Sequence, residues 1–149
     1  MPHVSAAWTS PTGSQCVATG SGGHTVVMDA PAGRAEWAGF KPSELLLAAL
    51  VGCTGVDFTS ILAKQRQCVT SISAEVQGEQ EQDPPWAYRT IDIVFTVRGK
   101  SLDRHAVDRA LDLALERYCS VGASLARTLA ISHRAVIEEE EPVALLREP

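Results

Sequence analysis

Four cysteines are the residues whose chemistry depends most on their surroundings: Cys16, Cys53, Cys68 and Cys119. They form no Cys-x-x-Cys pair and no Cys–His spacing of the zinc type, so no structural metal site and no cofactor is expected. Each is either an inert core thiol or a working one, and a lone cysteine in an apolar helix is usually core. A working thiol reacts as its thiolate, which attacks a peroxide oxygen and is left as a sulfenic acid. A second thiol then condenses with it, and a reductant opens the resulting disulfide. A neighbouring guanidinium lowers the thiol pKa and polarises the peroxide, whereas a carboxylate raises the thiol pKa. Asp57, one turn beyond Cys53 on the same face, is such a carboxylate, or simply a buried hydrogen-bonding group.

The elements that hold these residues follow from the pattern. Val4, Ala6 and Trp8 alternate with polar neighbours, residues 15–19 form a second candidate strand after a Ser-Pro-Thr-Gly turn, and His24, Val26 and Met28 alternate again. These strands and a loop fill 1–40. Pro42 suits the first position of a helix and Glu44 its first turn. The apolar run from Leu45 continues through Val56, Phe58, Ile61 and Leu62 to a basic end at Lys64–Arg66, which predicts a central helix over 42–66. A helix without a polar face must be covered on all sides. In a chain of 149 residues that cover is hard to find, so a second copy is expected to supply part of it.

Ile72, Ala74 and Val76, then Ile91, Ile93, Phe95 and Val97, alternate on either side of an Asp83-Pro84-Pro85 turn and predict an antiparallel hairpin over 70–98. Val107, Ala110, Leu111, Ala114, Leu115 and Tyr118 fall at helical spacing, with Ser101 or Asp103 as cap and Cys119 at the end. A short helix to about 129, a last strand over 131–137 and a frayed acidic tail over 138–149 complete the chain. Residues 103–137 thus hold the later helices and the last strand of a single α+β domain. His24, His105 and His133 read as surface or edge residues. Trp37 and Phe40 would line a hydrophobic entrance or anchor an interface.

Net charge is −5 and no basic run occurs, which argues against nucleic acid. The run Leu45–Cys53 is far short of the roughly 20 residues of a membrane-spanning helix. The N-terminus shows no basic and apolar leader, and a cytoplasmic location is expected, where thiols stay reduced.

The stretch Lys41-Pro42-Ser43-Glu44-Leu45 through Val51-Gly52-Cys53-Thr54-Gly55 resembles the OsmC/Ohr family in its Pro-x-Glu-Leu opening, apolar helix and Gly-Cys pair. Arg117-Tyr118-Cys119-Ser120-Val121 is similar to that family's second cysteine segment, and the order of elements agrees over nearly the whole chain. Gly-Cys-Thr-Gly at the first cysteine is nearest to a little-characterised branch. The resemblance implies an intertwined homodimer: an antiparallel sheet, long central helices and a site at the subunit interface. It implies reduction of organic hydroperoxides, with Cys53 attacking, Cys119 resolving, Glu44 as the family's helix-opening glutamate and Arg34 as its loop arginine. It also implies a dithiol reductant such as one of the lipoyl type. Glu44 and Cys53 lie nine positions apart, which turns a straight helix by about 180° and advances it about 13 Å. Either Gly52 bends the helix or Glu44 serves the cysteine of a second copy, the preferred arrangement. Two alternatives to the peroxidase stand beside it: a non-catalytic dimer binding a small hydrophobic ligand, and a redox sensor. Cys16 and Cys68 are expected to be bystanders.

Overall fold

The computed structural model describes residues 1–10, 13–30 and 36–140. By its internal contacts the chain divides into two units, Met1–Leu46 and Leu47–Pro149.

The first unit is a three-stranded antiparallel sheet in the order β1 (Val4–Trp8), β2 (Cys16–Gly20), β3 (Thr25–Met28). Trp8 stands opposite Cys16, and Cys16 opposite Met28. Period-two alternation buries Cys16 and Ala18. Gly23 takes a positive φ of 80° in the β2–β3 turn, where only glycine is unstrained. Asp29, almost wholly buried, accepts from Ser14 Oγ (2.6 Å), Ala30 N (2.8 Å) and Ala38 N (3.1 Å). One carboxylate therefore ties both described ends of the loop that leads to the first helix.

The helix α1 (Pro42–Lys64) begins in the first unit and runs through the second. It stops two residues short of the expected Arg66. Gln67 N and Arg66 N fold back onto the carbonyls of Leu62 and Ala63, and Arg66 takes a left-handed φ of 56°. β4 (Cys68–Gln80) and β5 (Tyr88–Lys100) form the expected antiparallel hairpin, longer than 70–98 at both ends. α2 (Arg104–Asp112) is capped by Asp103, whose side chain accepts from Ala106 N at 3.0 Å. A π-helical turn, Leu113–Tyr118, and a short helix, α3 (Ser120–Leu125), follow before β6 (Ala130–Glu139).

The second sheet has the order β4-β5-β6, and β6 pairs with β5 in parallel, Ile91 opposite Ile131 and Phe95 opposite Ala135. That pairing departs from an all-antiparallel sheet. A strand, a helical crossover and a strand make a parallel pair, and α2 with its successors is that crossover. The supposed tail also belongs to the fold as far as residue 140. Glu138 pairs with Arg98, and Glu139 accepts from the amides of Ser101 (3.0 Å) and Leu102 (3.1 Å). Residues 141–149 of that stretch lie outside the described residues.

The core of the second unit is one cluster. Ile91, Ile93, Phe95 and Val97 of β5 meet Leu50, Phe58 and Leu62 of α1 and Val107, Ala110 and Leu111 of α2. Phe58 and Phe95 pack edge to face with centroids 5.2 Å apart. Leu50, Thr54, Phe58 and Leu62 recur every fourth residue, so the chain buries one stripe of α1 rather than the whole helix. Ala49, Gly52, Val56 and Ala63 are exposed, Val56 to 71%. By length and composition this helix of 23 residues could also cross a membrane, which the run Leu45–Cys53 alone could not; its inner stripe, however, is taken up by the sheet.

Candidate functional site

Cys53 and Cys119 come together where α1 passes the junction between the π-helical turn and α3. Cys53 lies half-buried one residue before the buried Thr54. Cys119 ends the π-helical turn, its own amide donating to Ala114 O at 2.9 Å across five residues. Ala114, Leu115 and Cys119 are all buried. In an ordinary α-helix residues 114 and 119 would point about 140° apart. The wider turn brings both to the core side, and helical periodicity in the sequence cannot announce it.

The sulfur of Cys119 is held by neighbours of both elements. It caps α3 by accepting from Gly122 N at 3.2 Å, and its thiol points to Leu50 O at 4.0 Å. Leu50 O also accepts from Thr54 Oγ1 at 3.0 Å. A side chain on Gly122 would meet Leu115 and the Cys119 sulfur at 3.0–3.4 Å, so a glycine suits this close approach. Ser120 Oγ lies 3.9 Å from Cys53 Sγ.

This geometry tunes the two thiols in opposite directions. Burial opposes ionisation of Cys53, but hydrogen bonds from the Cys119 thiol, the Val121 amide and the Ser120 hydroxyl and amide outweigh it and lower its pKa. Burial pushes Cys119 up. The hydrogen bond to Cys53 and the charge on Cys53 add to that rise, against partial relief from Thr54 and Gly122. The pair therefore favours a thiolate on Cys53 and a proton on Cys119. All the donors that lower Cys53 are neutral, and Asp57 is not among the groups acting on it.

The other candidates are distributed differently. Glu44 is engaged within its own turn, its carboxylate 3.3 Å from Lys41 Nζ and 3.4 Å from Lys41 N. Arg34 lies outside the described residues. Cys16 is buried in β2, and Cys68 is exposed at the start of β4. His133 is no bare edge residue, since its Nε2 lies 2.9 Å from Asp112 Oδ1, linking β6 to the end of α2. Trp37 and Phe40 are exposed, with the Lys41 ammonium 5.2 Å from the Trp37 ring centroid. No group of three or more metal-ligating side chains is assembled among the described residues. The sequence pattern does not distinguish Ser120 and Thr54. Their only signal was adjacency to the two cysteines.

A parallel-ended sheet crossed by a long helix, with a tuned cysteine pair between that helix and the crossover, defines an α+β dithiol domain. Residues 33–134 match the family described as OsmC-like protein, and the chain belongs to that family. It is 36% identical over 111 residues to Protein YhfA of Escherichia coli (strain K12), spanning 74% of this chain and 81% of that protein. Its fold is similar to that of a hypothetical protein from Aquifex aeolicus VF5, with TM-score 0.82 at 26% identity over 95% of this chain and 98% of that one. The organic hydroperoxide resistance protein OhrB of Bacillus subtilis shares the fold at TM-score 0.62 and 19% identity, over 91% of this chain and 98% of that one.

Proposed function

We propose that the protein is a thiol-dependent peroxidase that reduces organic hydroperoxides as a cytoplasmic homodimer. The observation that carries this reading is the meeting of two thiols between α1 and the start of α3, Cys53 beside Ser120 and Cys119 buried against Leu50 O and Gly122 N, an arrangement that favours the thiolate on Cys53. The Cys53 sulfur bonds to the terminal peroxide oxygen, the O–O bond breaks, and the alkoxide leaves with the electron pair and takes a proton to become an alcohol. Cys119 then attacks the sulfenic acid sulfur, its proton leaves with the hydroxyl as water, and a Cys53–Cys119 disulfide forms. A dithiol reductant such as one of the lipoyl type restores both thiols and is itself oxidised to a disulfide. Membership of a family whose fold is shared with a hydroperoxide resistance protein supports the reading. The exposed apolar face of α1 supports the dimer. In that dimer Arg34 polarises the peroxide and Glu44 holds that arginine, serving the cysteine of the other copy.

One equivalent of an alkyl hydroperoxide should consume two of the four thiols. Peptide mapping should find Cys53 joined to Cys119, with Cys16 and Cys68 free. A bridge to Cys16 or Cys68 would overturn the pairing. No thiol loss at all would leave a redox-inert dimer binding a small hydrophobic ligand; oxidation without turnover in the presence of a dithiol would leave a sensor.

A further inference from the structure

We propose that Ser120 is a catalytic residue of the attack step, its hydroxyl donating first to the Cys53 sulfur and then to the departing alkoxide. The inference rests on the peroxidase reading and deepens it. Ser120 Oγ lies 3.9 Å from Cys53 Sγ. When Cys53 is a thiolate it carries no hydrogen, so in that state the hydroxyl is necessarily the donor. Attack moves the negative charge from sulfur to the leaving oxygen. A donor that serves both ends of that movement has to reorient during the reaction, and a hydroxyl on a single rotor does so.

The other groups at Cys53 are less suited to follow the charge. The amides of Ser120 and Val121 are fixed in the backbone of α3. Cys119 is 1% exposed, wedged between Gly122 N and Leu50 O, and its proton is needed in the next step, where it leaves in water. Ser120 is exposed. It can pass its proton to the alkoxide, yielding the alcohol, and recover one from solvent, so no further reactant is required. Its carbonyl meanwhile accepts from Ser124 Oγ at 2.8 Å, which holds the backbone of this residue while the hydroxyl turns.

Two reactions of Cys53 separate this role from a merely structural one. Alkylation by iodoacetamide expels iodide, which needs no proton; peroxide reduction expels an alkoxide, which does. Both are measured from pH 5 to 10 on full-length protein and on Ser120→Ala and Ser120→Thr, in a Cys68→Ser background. Ser120→Ala should shift the alkylation profile to higher pH and return to the parent rate once Cys53 is fully ionised. Its peroxide rate should stay depressed even there, by about tenfold or more, the usual worth of a hydrogen bond to a charged group. Ser120→Thr should keep most of both rates. Parent-like peroxide rates for Ser120→Ala across the range would overturn the proposal, as would equal loss in both reactions at every pH. Should the parent protein not react with peroxide at all, the peroxidase reading fails and the relay with it; an unshifted alkylation profile would then also remove the contact with Cys53.

Discussion

The two cysteines sit in opposite kinds of helix. Cys53 belongs to a regular α-helix of 23 residues, pinned to the sheet by Leu50, Thr54, Phe58 and Leu62. Cys119 sits at a break, where a π-helical turn gives way to a helix of six residues that the cysteine itself caps. Regularity keeps the attacking sulfur in one place beside its donors. The break puts the resolving sulfur at the joint of two short elements, held by the Gly122 amide and facing the Leu50 carbonyl. Side-chain type is the same in both places; backbone context divides the labour.

The largest expected effect comes from exchanging each sulfur for oxygen. Cys53→Ser should abolish hydroperoxide consumption. Cys119→Ser should reduce one equivalent, hold a sulfenic acid on Cys53 that a dimedone-type reagent labels, and stall without an external thiol. Serine is also a good N-cap, so the α3 start survives the change. An inert Cys119→Ser together with a labelled Cys53→Ser would reverse the two roles and break the comparison.

Next in size are changes to the two sides of α1. Phe58→Ala removes a fully buried ring from the stripe and should cost about 3–5 kcal/mol in denaturant unfolding. Val56→Arg puts a charge on the exposed face, leaves that core untouched, and should halve the mass seen by sedimentation at micromolar concentration. A wild-type protein that sediments as a monomer would remove the dimer altogether.

Much of this was legible in advance because it rests on short-range rules. Alternation located every strand within two or three residues, Pro42 set the start of α1, and Gly-Cys-Thr-Gly with the Arg117–Val121 segment marked both cysteines. Beside the π-helical turn, three features were hidden for identifiable reasons. Alternation has the same period in parallel and antiparallel pairs, so β6 could be located but not oriented, except through the helical crossover before it. An apolar sequence cannot say which cover comes from its own sheet, so α1 read as buried on all sides. Thr54 and Ser120 are small polar residues of ordinary type, and their value lies in distances to sulfur across elements far apart in sequence.

Two smaller effects sharpen the contrast. Because Cys53 is lowered and Cys119 raised, the thiolate fraction at neutral pH is larger on Cys53 than on an ordinary thiol and smaller on Cys119. In a Cys68→Ser protein, iodoacetamide near pH 7 should therefore modify Cys53 first, with Cys119 lagging until the pH rises past the ordinary thiol value. Simultaneous labelling would mean the two surroundings do not differ in effect. Thr54→Val keeps the volume but removes the hydroxyl near Cys119. Attack should be unchanged, and closure of the disulfide should slow by a few-fold, about the worth of one neutral hydrogen bond. Rapid-quench mapping of the sulfenic acid and the disulfide separates the two steps.

The π-helical turn also bears on how the chain tolerates gain and loss of residues. Such a turn is an α-helix holding one residue more than its pitch allows. Delete one residue between Ala114 and Cys119 and the helix can relax to its ordinary pitch: four steps of about 100° leave the cysteine about 40° from Ala114, still on the core side. It is the present count of residues wound at ordinary pitch that would point Cys119 away from α1, about 140° from Ala114, although no side chain at the site had been altered. Apolar exchanges within the segment are far milder by comparison. What descent has to preserve between the Asp103 cap and Cys119 is therefore the facing of the cysteine and not a count of residues, and a lineage could lose the wide turn by a single codon deletion while keeping the cysteine pair in place.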